Sequence, residues 1–182
     1  MKPSKGEAVA IDKDTMGRVE NIYQKYSDMV FRLGVVYMKD EQEAYDIVQE
    51  VFLKLLRHPK EFQDENHEKA WILRVAINCC KDQLKSRWRK KNLPWEVYEE
   101  RAEQSLQENA GGHGEESETR QMVLEAVQNL PDLYKEVIFL FYYEEYSTEE
   151  IARLLHKNAS TVRSRLQKAR KLLKKSIREE WL

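Results

Sequence analysis

Apolar residues recur every three or four positions along most of this chain, the spacing that lines one face of an α-helix. Ile22, Tyr23, Tyr26, Met29, Val30, Leu33, Val36 and Tyr37 form the first such row. Ala44, Ile47, Val48, Val51, Phe52 and Leu55 form the second. Asp40 with Glu43 three residues on opens that second helix as a capping box, and Pro59 ends it. Residues 58–67 read as a loop. A third helix is predicted from about Glu68 to Arg89, with Leu73, Ala76, Ile77, Cys80 and Leu84 as its apolar stripe. Residues 1–17 are polar and aperiodic and read as a flexible tail.

The pattern fails between Asn92 and about Ser117, where Pro94, a polar run over 103–109, and Gly111, Gly112 and Gly114 read as a linker. Periodicity then returns with Met122, Val123, Ala126 and Val127, and stops at Leu130-Pro131. Asp132 is expected to cap the next helix, which buries Leu133, Val137, Ile138, Leu140 and Phe141. Ser147, with Glu150 as its capping-box partner, opens a helix facing Ile151, Leu154 and Leu155 inward. The break at 156–159 leads into a last helix from Ser160 to about Glu180, whose stripe is Val162, Leu166, Ala169, Leu172 or Leu173, and Ile177. The predicted fold is all-α. Two small helical domains, 18–92 and 118–182, are joined by a flexible acidic linker, 93–117, and the C-terminal domain contains a helix-turn-helix.

Six Gly and four Pro in 182 residues leave few breaks, which favours long helices. The net charge of −1 says nothing about partners, but its distribution does. Residues 81–91 balance at +5, residues 96–116 at −6 and residues 151–182 at +8. Two basic patches flanking an acidic segment are the electrostatic footprint of nucleic-acid binding. Cys79 and Cys80 are adjacent, point about 100° apart on a helix, and are read as apolar residues in a reducing compartment rather than a disulfide. No apolar run reaches signal-peptide or membrane-span length, so a soluble, cytoplasmic chain is expected.

Three constellations carry chemistry. The first is the capped helix, tight break and basic helix from Tyr146 to Leu173, the parts of a helix-turn-helix. Ile151, Ala152 and Leu155 brace Val162 and Leu166, so that Thr161, Arg163, Ser164, Gln167, Lys168 and Lys171 face a major groove. Ser160 starts the helix whose N–H groups suit a phosphate. A merely solvated helix normally mixes charge signs, whereas this one lacks acids from Ser160 through Ile177. The second is Trp71, Arg74, Asn78, Lys81, Lys85 and Trp88, spaced along one helix face: aromatics to stack on unpaired bases, cations to hold the backbone. Trp71 alone reads equally well as core. The third is the acidic face of Glu43, Asp46, Gln49 and Glu50, either ordinary solvated surface or a dock for a basic protein. There is no Gly-rich phosphate loop, GxSxG or HExxH, and His58, His67, His113 and His156 fall in predicted loops or turns. No enzyme, cofactor, metal or small-molecule substrate is expected.

From Ile22 to Lys175 the chain resembles an extracytoplasmic-function (ECF) sigma factor of bacterial RNA polymerase. Residues 40–52, DEQEAYDIVQEVF, are similar to the family's polymerase-docking helix. Residues 70–78, AWILRVAIN, are similar to its −10 reader. Leu130-Pro131, then 146–152 and 160–166 with Ala169-Arg170, are similar to its −35 reader. The resemblance implies that Asp46, Gln49 and Glu50 contact the β′ clamp of core polymerase, with the β flap as a further contact. It implies that the loop around Glu61 to His67, with Asn78, captures a flipped non-template −10 base, while Arg74, Lys81 and Lys85 hold the melted strand. Arg163, Ser164, Gln167 and Lys168 would read the −35 duplex. The acidic linker would pass through the polymerase. An anti-sigma partner, often membrane-anchored, and a role in a stress response are further implications. The turn that usually carries Gly has His156 here, and the family's following Pro and Gly are Asn158 and Ser160; Asn158 tolerates positive φ, which keeps the turn feasible. The runner-up is a stand-alone helix-turn-helix regulator that binds symmetric DNA as a dimer without polymerase.

Overall fold

The computed structural model describes residues 13–90 and 115–179. Helices α1 (Lys13–Met38), α2 (Glu41–Arg57) and α3 (Glu65–Lys90) form an N-terminal unit. The C-terminal unit comprises α4 (Glu115–Asn129), α5 (Asp132–Ile138), a π-helical turn (Phe139–Tyr143), α6 (Thr148–Leu155) and α7 (Ala159–Glu179). No strand occurs among the described residues, as the periodicity predicts.

Helix α1 starts at Lys13, so the last residues of the predicted tail are helical, and Thr15 is already buried. It meets α2 closely at Gly34, where an added Cβ would lie 2.9 Å from the Cα and Cβ of Ala44. Lys39, at φ 60°, makes the left-handed stop between them. Asp40 then caps α2, accepting from the Glu43 N–H at 2.9 Å. Helix α3 begins at Glu65 rather than Glu68, because Asp64 accepts the His67 N–H at 2.7 Å. His67 therefore sits in a first helical turn, not a loop. Along α3, Leu73, Ala76, Ile77, Cys80 and Leu84 are buried as predicted, and Ile72 and Cys79 are buried too, which widens the apolar arc.

In the C-terminal unit, α4 starts at Glu115, so the last three residues of the predicted linker are helical; residues 91–114 lie outside the described residues. Pro131 is the N-cap of α5 and makes no side-chain cap. Asp132, expected to cap, instead occupies the first turn, buried and paired with the buried Lys135 at 3.2 Å. Burial lowers the Lys135 pKa, and the Asp132 carboxylate opposes that shift.

The two units are not merely tethered. Their buried residues form one continuous apolar cluster, and α1 packs on α4 and α5 while α3 packs on α6. Gln128 Nε2 donates to the Val35 carbonyl at 2.9 Å, Tyr37 Oη to the Asp132 carbonyl at 3.4 Å, and Lys39 Nζ to Asn129 Oδ1 at 2.5 Å. Small helical domains have limited cores of their own, and sharing one removes more apolar surface from water.

Candidate nucleic-acid interface

Ser147 and Glu150 form the predicted capping box: the Ser147 N–H donates to Glu150 Oε2 at 2.9 Å, and the Glu150 N–H donates to Ser147 Oγ at 3.3 Å. These bonds favour ionised Glu150, and its pKa is lowered, chiefly by the Ser147 hydroxyl. Helix α6 ends on His156, which takes the left-handed conformation at φ 53°. The left-handed residue is thus His156 itself and not Asn158. The Lys157 N–H donates back to the Ala152 carbonyl at 2.9 Å, closing a Schellman-type turn. That turn sets the angle at which α7 leaves.

Helix α7 buries Val162, Leu166 and Ala169 against the rest of its unit. Ser160, Arg163, Ser164, Gln167, Lys168 and Lys171 are exposed, and Thr161 is half-buried. Arg163 meets only a light restraint, Glu149 at 3.1 Å, where both side chains are more than half exposed. Such pairs are worth little in water and exchange readily for a nucleic-acid partner. A capped helix, a left-handed turn and a long helix without an acid from Ser160 through Ile177 define a helix-turn-helix DNA-binding unit.

The α3 face differs. Asn78 and Lys85 are exposed, and Trp71, Arg74 and Lys81 are half-buried; the Trp88 side chain lies outside the described residues. Trp71 packs on Phe62, ring centroids 5.7 Å apart, so one side of its ring is taken by the preceding loop. Arg74 Nη1 lies 3.1 Å from His156 Nε2, at the turn of the helix-turn-helix. Lys81 is paired with Glu136 of α5. Asn78 lines a cavity of about 120 Å³ between the units, with Ile77, Leu154 and Lys157 on its walls.

On α2, Asp46 and Gln49 are exposed, while Glu43 and Glu50 are half-buried. Glu43 pairs with Arg87, and Glu50 with Lys54 at 2.9 Å. Tyr45 and Leu53 are exposed on the same helix, and the charge pattern that singled out the acids gave no reason to include them. Cys79 and Cys80 are free and buried, and burial pushes both thiols up. Among the described residues no group of His, Cys, Asp and Glu suits a metal ion. No described helix is long and apolar enough to cross a membrane.

Residues 22–90 match the family model for Sigma-70 region 2, and residues 120–173 that for Sigma-70, region 4. The chain is 31% identical over 160 residues to the RNA polymerase sigma-H factor of Pseudomonas aeruginosa, covering 84% of this chain and 82% of that protein. It is 29% identical over 177 residues to the ECF RNA polymerase sigma factor SigW of Bacillus subtilis, covering 92% and 91%. The sigma factor RpoE from Bartonella quintana, solved in complex with the anti-sigma factor NepR, shares the fold. Its TM-score is 0.65 over 92% of this chain and 98% of that one, at 19% identity. The chain belongs to the sigma-70 family of RNA polymerase sigma factors, in its extracytoplasmic-function group. Sigma factors are transcription initiation factors, and the comparisons lend the stand-alone regulator no support.

Proposed function

We propose that this chain binds core RNA polymerase at the β′ clamp and β flap and directs it to promoters read in two places. An N-terminal unit reaching to residue 92 docks on polymerase and holds the melted −10 strand. A linker ending near residue 114 joins it to the C-terminal unit, which reads the −35 duplex. Asp46 and Gln49, exposed on α2, form the docking row with Glu43 and Glu50 at its edges. Asn78 captures a −10 base, and Trp71, Arg74, Lys81 and Lys85 hold the strand. Ser160, Thr161, Arg163, Ser164, Gln167, Lys168 and Lys171 meet the −35 element, with Arg163 and Gln167 suited to base edges and the lysines to phosphates.

The observation that carries this reading is the order of regions 2 and 4 along one chain, together with the exposed polar face of α7, which holds no acid from Ser160 through Ile177. The chain acts in the cytoplasm as a non-enzymatic specificity subunit, without cofactor or small-molecule substrate. An anti-sigma partner is part of the proposal, because the RpoE relative was solved with one. The test mixes purified chain, core polymerase and a candidate promoter, then assays co-purification and run-off transcription. Association with core and a promoter-dependent transcript are expected. Failure to associate, alongside tight binding to a palindrome by the chain alone, overturns the proposal.

A further inference from the structure

Glu149 is the second residue of α6, and its side chain is 63% exposed. Its two oxygens have different partners. Oε2 accepts from Thr148 Oγ1 at 2.9 Å, and Oε1 accepts from Arg163 Nη1 of α7 at 3.1 Å. The carboxylate is held below its ordinary pKa, chiefly by the Thr148 hydroxyl, with Arg163 adding to the effect. The neighbouring Glu150 completes the capping box with Ser147, so the cap does not use Glu149. Arg163 follows Val162, which is fully buried and fixes the backbone from which the guanidinium extends. An acid at the edge of a DNA-binding face repels phosphates, so its presence there calls for a reason.

We propose that Glu149 is a positioning residue for −35 recognition: it holds Nη1 of Arg163 so that the rest of the guanidinium meets a guanine edge in the major groove. This rests on the reading of Arg163 as a base contact. A guanidinium carries five N–H donors in a fixed plane, and the contact with Glu149 engages one nitrogen. Nη2 and Nε remain, an adjacent donor pair that suits the N7 and O6 acceptors of guanine. Arg163 therefore takes a base without letting go of the carboxylate. An unrestrained arginine samples many rotamers, and ordering it on binding opposes the contact. Glu149, itself oriented by Thr148, narrows that range before DNA arrives. The pair is weak in water, because both side chains are exposed. Docking removes that water, and the same pair then acts through a lower dielectric. The restraint is therefore strongest while the base is being read. The lysines of α7 need no such aim, since an ammonium meets a phosphate as a point charge.

The test assembles the full chain with core polymerase and offers it a pool of promoter duplexes randomised over the −35 region. Bound duplexes are sequenced for the parent, Glu149→Gln, Glu149→Ala, Arg163→Ala and the variant carrying both alanines. Arg163→Ala should abolish the preference at one base pair. Glu149→Ala should weaken the preference at that same base pair by about threefold to tenfold, the size of coupling between side chains in contact, and leave the other positions unchanged. Glu149→Gln, whose amide oxygen still accepts from Nη1 without a charge, should fall between parent and alanine. Added to Arg163→Ala, Glu149→Ala should change nothing further at that base pair. Both Glu149 variants should melt close to the parent, because the cap is intact. An acid that merely repels DNA gives a different result: its removal tightens binding to every sequence alike and keeps every preference, which overturns the proposal. A loss spread evenly over all positions, or one just as large when Arg163 is absent, overturns it too. If Arg163→Ala itself leaves every preference in place, Arg163 is no base contact, and the reading of α7 loses that residue together with the positioning role of Glu149.

Discussion

Helices α3 and α7 both carry rows of cations, yet the fold treats them in opposite ways. On α7 the outward Arg163, Gln167 and Lys171 look away from the protein, and Arg163 meets only an exposed glutamate of its own unit. On α3, Lys69 and Lys81 meet carboxylates that are almost fully buried and come from the other unit. Charge along a sequence therefore picks out a candidate binding face, and tertiary neighbours decide how far its side chains are exposed. A duplex can be met by a rigid helix at any time.

The largest expected effect breaks the α7 side alone. Leu166 is buried on the inward face of α7, and Leu166→Ala should destabilise the C-terminal unit by about 2–5 kcal/mol. Thermal melting followed by circular dichroism checks the loss, and duplex binding should fall far more than oligonucleotide binding. Next, Arg163→Ala should weaken −35 duplex binding by about 1–3 kcal/mol with sequence discrimination reduced at one position. A change confined to the salt dependence would recast Arg163 as a phosphate contact. On the other side, Asn78→Ala should reduce open-complex formation by roughly 1 kcal/mol, one hydrogen bond's worth, with −35 duplex binding intact. Equal loss of both would remove Asn78 from the −10 role.

The smallest effect concerns the frame of the helix-turn-helix. Ser147→Ala should lower stability by about 1 kcal/mol through loss of the cap. Glu150 sharpens this through pH. Its folded pKa lies below the ordinary value of 4.5, so its contribution is present above that value and is lost as pH falls through the depressed one. A melting temperature that drops less below pH 4.5 in Glu150→Gln than in the parent chain is the expected sign. The step is small, because the carboxylate is exposed and water screens it.

Local chemistry made much of the fold legible. The Ser147 and Glu150 box, the Pro59 stop and the stripe of Val162, Leu166 and Ala169 follow from short spacings that physics reads the same way in any context. The start of α3 was hidden because Asp64 caps it with His67 three residues on, where a Glu or Gln would have signalled a box. The π-helical turn gave no signal either: Phe139 to Tyr143 is apolar or aromatic at every position, so no contrast marks a face. Asp132 resembles a cap, and only the buried Lys135 beside it explains its inward place. The closed arrangement was least legible of all, since Lys81 and Glu136 stand 55 residues apart and nothing local couples them. For the interface, the exposed row on α7 was readable, whereas the cover over α3 and the exposed Tyr45 and Leu53 beside the acidic row were not.

The claim that most of this depends on is that one chain, with core polymerase, both finds a duplex element and traps bases released from another. Permanganate reactivity of non-template thymines near −10, on a promoter incubated with the chain alone, core alone and both, measures it most directly. Reactivity only with both together, and markedly reduced by Asn78→Ala, is the expected result. Reactive thymines with core alone, or none with both while the chain by itself protects a symmetric duplex, would contradict it.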